Sequence, residues 1–222
     1  MHYQELLTEL ESYADEGYKA FHKKLLKNES VNVIGVRVPI LRKLEKKYKA
    51  DLDELFTFPD EYYEVTFIKL TAVSMLAYEE FVKYVDKCIP LIDNWATCDC
   101  FTPKCIEGHK EEFLPYIRKY ALDKREFYQR FALTTLLHFY VEESYAETIF
   151  ALTERSDTSL YYVHMAAAWL IAEALVKFYD KAKSFLLENT LDKKTHNKAI
   201  QKARESFRLS DDQKNYLKGI KR

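Results

Sequence analysis

The chain has 222 residues, 48% hydrophobic and 31% charged, enough for one large core or two smaller ones beneath a solvated surface. Four Gly and five Pro are too few turn formers for an all-β fold. A net charge of −1 gives, by itself, no electrostatic reason for a nucleic-acid partner. No G-x-G-x-x-G, G-x4-G-K-[ST], H-E-x-x-H or C-x-x-C pattern occurs, so the commoner phosphate loops and zinc frameworks are unsupported.

Helical periodicity dominates from the first residues. The opening M-H-Y-Q-E-L-L-T-E-L-E is acidic and amphipathic, unlike a signal peptide. The longest apolar run, 165–172, is too short to span a bilayer. A cytoplasmic protein with reduced cysteines is expected. Amphipathic helices over 2–14 and 18–27 flank Gly17, and 28–35 reads as a loop. Pro39 suits the first turn of a helix running to 49. Its apolar stripe is Leu41, Leu44 and Tyr48, with Arg42, Lys43, Lys46 and Lys47 mostly off it. Helices follow at 51–57, 61–77 and 79–88.

Residues 92–107, I-D-N-W-A-T-C-D-C-F-T-P-K-C-I-E, hold one of the two tryptophans and three of the four cysteines. A helix starting near Asp93 puts Trp95 and Asp99 on one face, one turn apart. A buried carboxylate without a partner is costly, so the pair suggests either a bonded Asp or a groove with a site in it. Pro103 should end or kink this helix. Cys98, Cys100 and Cys105 form C-x-C-x4-C with no interleaved His, and a helix turns Cys100 away from the other two. They read as packing or surface residues, and no metal is expected. Further helices are predicted at 110–121, 125–140, 142–154, 160–178, 180–188, 193–206 and 210–220, with Pro59, Pro90 and Pro115 near boundaries or within first turns.

About fourteen helices, no strand and no linker make a helical array, in which repeats should appear. Segments 62–78, 93–107, 125–140 and 161–178 begin 31, 32 and 36 residues apart. The last two align without a gap, Y-Q-R-F-A-L-T-T-L-L over Y-V-H-M-A-A-A-W-L-I, matching Arg130 to His164 and Thr135 to Trp169. Two helices per unit at that period predict an α-solenoid, with the second helix of each unit lining one concave surface. Trp95, Asp99, Arg130 and Trp169 would then share that surface. Charge is uneven as well: residues 37–49 carry six bases and one acid, and 193–222 carry ten bases and three acids. Basic patches at both ends of an otherwise acidic chain suggest one polarised face.

These motifs resemble the AlkD-like DNA alkylation-repair family of HEAT-repeat alkylpurine DNA glycosylases. N-V-I-G-V-R-V-P-I-L-R-K-L (32–44) is similar to its G-x-x-x-P-x-x-R-x-L signature, and W-A-T-C-D (95–99) to its W-x-x-x-D motif. F-Y-Q-R-F-A (127–132) resembles its aromatic-x-Q-R-x-A segment, and M-A-A-A-W-L-I-A-E (165–173) its small-residue helix with a second Trp. The resemblance implies a single HEAT-like domain over 1–222, C-shaped, all-α, monomeric and without a cofactor. It implies double-stranded alkylated DNA as partner and hydrolysis of the N-glycosidic bond of cationic N3- or N7-alkylated purines. By residue, it implies Asp99 beside the anomeric carbon, Trp95 and Trp169 against the lesion's sugar and backbone, and Arg130 on a phosphate. Arg37, Arg42, Lys43 and Lys104 complete the expected DNA-binding set. The active pattern W-x-x-R-E reads W-L-I-A-E here, with Ala172 in place of the Arg, and Arg37 stands where the active type carries Gln. A non-catalytic HEAT-repeat scaffold, binding nucleic acid such as branched DNA or binding protein, is the alternative.

Overall fold

The computed structural model describes residues 2–26, 28 and 30–222. The end of the second predicted helix at Lys27 and loop residue Glu29 lie outside the described residues. Fourteen α-helices and no strand occur among the described residues. The chain packs as two compact units, residues 1–109 and 110–222.

The first unit holds α1 (Tyr3–Glu11), α2 (Glu16–Leu26), α3 (Val38–Tyr48), α4 (Leu52–Leu55), α5 (Tyr63–Val73), α6 (Tyr78–Cys88) and α7 (Trp95–Cys100). Its centre is α5, which packs on α3, α4, α6 and α7. All eleven α5 residues are buried, which explains why Y-E-V-T-F-I-K-L-T-A-V is apolar nearly all round rather than striped. Its two charges are satisfied locally, as buried charges must be. Lys69 Nζ donates to Phe58 O at 2.6 Å and to Asp60 at 2.8 Å. The Glu64 carboxylate accepts three backbone N–H groups, from Ile34 (3.0 Å), Gly35 (2.8 Å) and Val36 (3.2 Å). That grip fixes the loop entering α3. Gly35 has φ +105°, and a Cβ there would stand 2.7 Å from Asp15 O, so the turn requires glycine.

The second unit holds α8 (Lys110–Ala121), α9 (Glu126–Phe139), α10 (Ala146–Arg155), α11 (Tyr161–Lys177), α12 (Tyr179–Glu188), α13 (Lys193–Glu205) and α14 (Asp211–Gly219). One row runs α9–α11–α13 and the other α8–α10–α12. The middle of the inner row is apolar on most sides, with Ala166, Ala167 and Ala168 letting neighbours approach α11 closely. This is the stacked-pair construction of an α-α superhelical repeat. Successive inner helices are tied by one recurring polar rung. Arg130, His164 and His196 are spaced 34 and 32 residues apart, and all are buried. Arg130 Nη1 donates to Tyr162 O at 3.0 Å, His164 Nδ1 meets Thr195 Oγ1 at 2.8 Å, and His196 Nε2 meets Ile220 O at 3.0 Å.

Several boundaries differ from expectation: the helices predicted over 2–14, 51–57 and 61–77 end at Glu11, Leu55 and Val73. The helix expected from about Asp93 begins at Trp95, because Asn94 caps it, accepting from Thr97 N at 3.0 Å. It ends at Cys100, and Pro103 then opens a 3-10 turn over Lys104–Gly108. Pro115, expected in a first turn or near a boundary, lies well inside α8. The helix starts at Lys110, so Pro115 leaves the Glu111 carbonyl without its usual donor.

Candidate functional site

The six-residue helix α7 turns Ala96, Thr97 and Cys98 inward and leaves Trp95, Asp99 and Cys100 half-buried. Trp95 and Asp99 therefore share the partly solvated face, as their spacing predicts. The start of α7 is held against the end of α2: Trp95 Nε1 donates to Leu25 O at 3.3 Å, and Asn28 Nδ2 donates to Asp93 O at 3.0 Å. The indole edge is thus spent on the backbone, and the ring is fixed beside Asp99.

Charges from α3 gather near the other end of α7. Burial pushes the Cys100 thiol up, opposed by Arg42 and reinforced by Asp99 and Glu45. It is therefore a protonated, poorly nucleophilic thiol at neutral pH. Burial likewise raises Cys105, and Cys98 is buried. Among the described residues no group of three His, Cys, Asp or Glu side chains is arranged to hold a metal ion.

The expected DNA-binding cations fall into three states. Lys43 and Lys104 are exposed. Arg37 precedes α3, reaches Asp15 at 2.8 Å and lies 5.0 Å from the Tyr18 ring. Arg42 is half-exposed, paired with Glu45 at 3.2 Å and 5.1 Å from the Phe67 ring. Arg130 is only 1% exposed. Its guanidinium lies 5.3 Å from the Trp169 ring and 5.6 Å from that of Tyr162. Such cation–ring contacts are strengthened by desolvation.

Trp169 itself is half-buried. It borders a groove of about 360 Å³ across α9, α11 and α13, together with Leu137, Ala172, Glu173, Lys202 and Arg208. The Ala172 methyl contributes no charge there, whereas Arg208 comes from the turn after α13.

Sequence reasoning missed Glu64, Gln129 and Tyr162. Glu64 was detectable as the one acid in the apolar run Y-Y-E-V-T-F-I. Gln129, inside a motif already singled out, donates to Asp123 O at 2.8 Å and accepts from Asp157 N at 2.7 Å, joining the turns before α9 and α11. Tyr162 gave no local signal, since it contributes a backbone carbonyl and a ring face.

A stacked helical-repeat protein with an aromatic–carboxylate pair on a capped short helix is the class these observations define. The family model described as DNA alkylation repair enzyme matches residues 6–207. The chain belongs to that family, and its role is in DNA repair. No curated protein matches it. No helix among the described residues is long and apolar enough to cross a membrane.

Proposed function

We propose that the protein is a monofunctional DNA glycosylase that hydrolyses the N-glycosidic bond of cationic N3- or N7-alkylated purines in duplex DNA. In this reading residues 1–222 act as one HEAT-like repeat domain, a cytoplasmic monomer that uses no cofactor. The observation that carries it is the α7 face, where Trp95 and Asp99 stand one turn apart, both reachable by solvent and both held by a capped helix.

The chemistry suits those groups. Glycosidic cleavage passes through an oxocarbenium-like transition state. A carboxylate already in place beside the sugar stabilises the growing positive charge and orients the attacking water. An indole face favours cationic species. An alkylated purine carries positive charge in the ground state and leaves readily, so no general acid is required. Asp99 is assigned the electrostatic role, Trp95 the lesion's sugar, and Trp169 the neighbouring backbone. Arg37, Arg42, Lys43 and Lys104 are assigned to phosphates. Arg130 is assigned to holding Trp169 in place, since its guanidinium lies under protein rather than in water.

A second reading is favoured by the same cations. Arg130 is buried, Arg37 is paired with Asp15, Arg42 is paired with Glu45, and Ala172 is neutral. A weakened phosphate grip suits a non-catalytic scaffold, for branched DNA or for protein. Release of N3-methyladenine or N7-methylguanine from methylated duplex separates the two. Asp99→Asn keeps shape and removes the charge, so base release should fall about 10²–10³-fold, with binding to the same duplex retained. DNA binding by the wild type without base release would establish the scaffold reading. Equal release by wild type and Asp99→Asn would keep an enzyme and move its site elsewhere.

A further inference from the structure

Phe207 is fully exposed, the most exposed large hydrophobic residue among those described. A phenyl ring wholly in water is informative when the surrounding chain prevents it from folding inward. Here the chain does. Phe207 sits between α13 and α14, and both of its flanks are anchored. On one side Arg208 grips Glu173 of α11 through two hydrogen bonds, of 2.7 and 2.5 Å. Its backbone N–H also donates to Ser206 Oγ at 3.2 Å. Next, Leu209 is buried. Ser210 then caps α14, accepting from Gln213 N at 3.2 Å, while the Gln213 side chain accepts from Ser210 N at 2.9 Å. The ring is presented by a turn braced after it by these contacts and before it by Ser206, whose N–H donates to Ala203 O at 3.1 Å.

The turn also borders the Trp169 groove, to which Ser206 and Arg208 both contribute. Residues 193–222 around it carry ten bases and three acids. An exposed aromatic, a positioned guanidinium and a basic surround match a polyanion with ring faces to offer. We propose that the turn at residues 206–209 is a DNA-contacting element. Phe207 stacks on an unstacked base or wedges at a base step, and Arg208 and Lys202, paired with Glu173 and Glu205 in the free protein, exchange those carboxylates for the adjoining phosphate. This rests on the reading that the protein binds DNA, and adds to it a device that senses disturbed stacking, which alkylation and mispairing both create. An aromatic wedge needs a step that opens cheaply, so it favours distorted duplex over paired duplex.

The test compares a fluorescein-labelled duplex carrying a single-nucleotide bulge with its fully paired counterpart, using the full chain. Phe207→Ala removes a side chain that packs on nothing, so the fold is not at risk. It should weaken binding to the bulged duplex about tenfold and leave the paired duplex within about twofold, since one stacked base is lost. The slope of log affinity against log salt should not change, because no phosphate contact is removed. Arg208→Ala should weaken both duplexes and reduce that slope by about one. Arg208→Lys should restore the slope. Phe207→Ala binding the bulged duplex as tightly as wild type, with wild-type binding intact, overturns the wedge alone. Wild-type protein that binds neither duplex overturns the DNA-binding reading and this inference with it. Phe207-dependent self-association without DNA would make the turn a contact between copies and overturn the proposal.

Discussion

Arg130 carries a permanent charge where almost no water reaches it. Its energy depends on the Tyr162 carbonyl and on the two ring faces beside it. Truncation to alanine therefore acts first on the fold. Arg130→Ala should cost roughly 1–3 kcal/mol, because it removes the hydrogen bond to Tyr162 O and opens space beside Trp169. Urea unfolding reads this as a lower midpoint, and Trp169 emission should shift as its ring loosens. A variant with wild-type stability would return Arg130 to the role of a simple phosphate contact. Asp99 differs in kind. It is half-buried on a surface helix, so replacing it by Asn should change chemistry far more than stability.

The loop before α3 depends on another element for its shape. Its three successive N–H groups converge on Glu64 of α5, and Gly35 supplies the backbone turn that lets them do so. Glu64→Gln should cost about 1–3 kcal/mol, since one acceptor oxygen becomes a donor facing another donor. Because Arg37 follows this loop directly, DNA affinity should fall as well. A reduced urea midpoint at unchanged slope would mark a pure stability loss. An unaltered midpoint would mean that the loop holds itself. In α7 only the cap is local. Leu25, at the end of α2, accepts from Trp95, and Asn28 donates to Asp93 O, and these bonds from 65–70 residues away let so short a helix present two side chains in fixed register.

Across the whole molecule, three histidines couple stability to pH. Burial lowers the pKa of His22, His164 and His196 from the ordinary 6.5. The unfolded chain then binds protons that the folded one refuses. Stability is greatest above pH 6.5 and falls as pH drops below it, toward the folded-state values. Carboxylates titrate lower, with Asp123 held down to about 2 by its Arg125 partner. Urea midpoints should therefore decline between about pH 7 and about 5.5, before the acids begin to protonate. Equal midpoints over that interval would contradict neutral buried imidazoles. Charge distribution sets a second global property. Basic residues crowd 37–49 and 193–222 while the rest is acidic. Duplex affinity should weaken steeply with salt as counterions are released. Binding insensitive to salt would exclude a phosphate-contacting surface.

Local geometry was legible from the residues alone. Apolar spacing marked the helices, because a helix repeats its faces every few residues wherever it sits. The same rule placed Trp95 over Asp99, and the 31- to 36-residue recurrence announced stacked helix pairs. Periodicity tells which side chains share a face, but not which face a neighbouring helix will cover. Arg130 therefore read as a surface cation and proved to be a buried rung, whereas Trp169, on the repeat-equivalent helix, kept part of its ring in water. Glu64 looked like a stray acid until three amides from about thirty residues earlier closed on it. Arg208 beside Trp169, and Phe207 held out in solvent, depend on a clamp to Glu173 that spans 35 residues. Such pairings are decided by packing between helices, where the cost of an uncovered charge or carbonyl selects partners that no window of sequence contains.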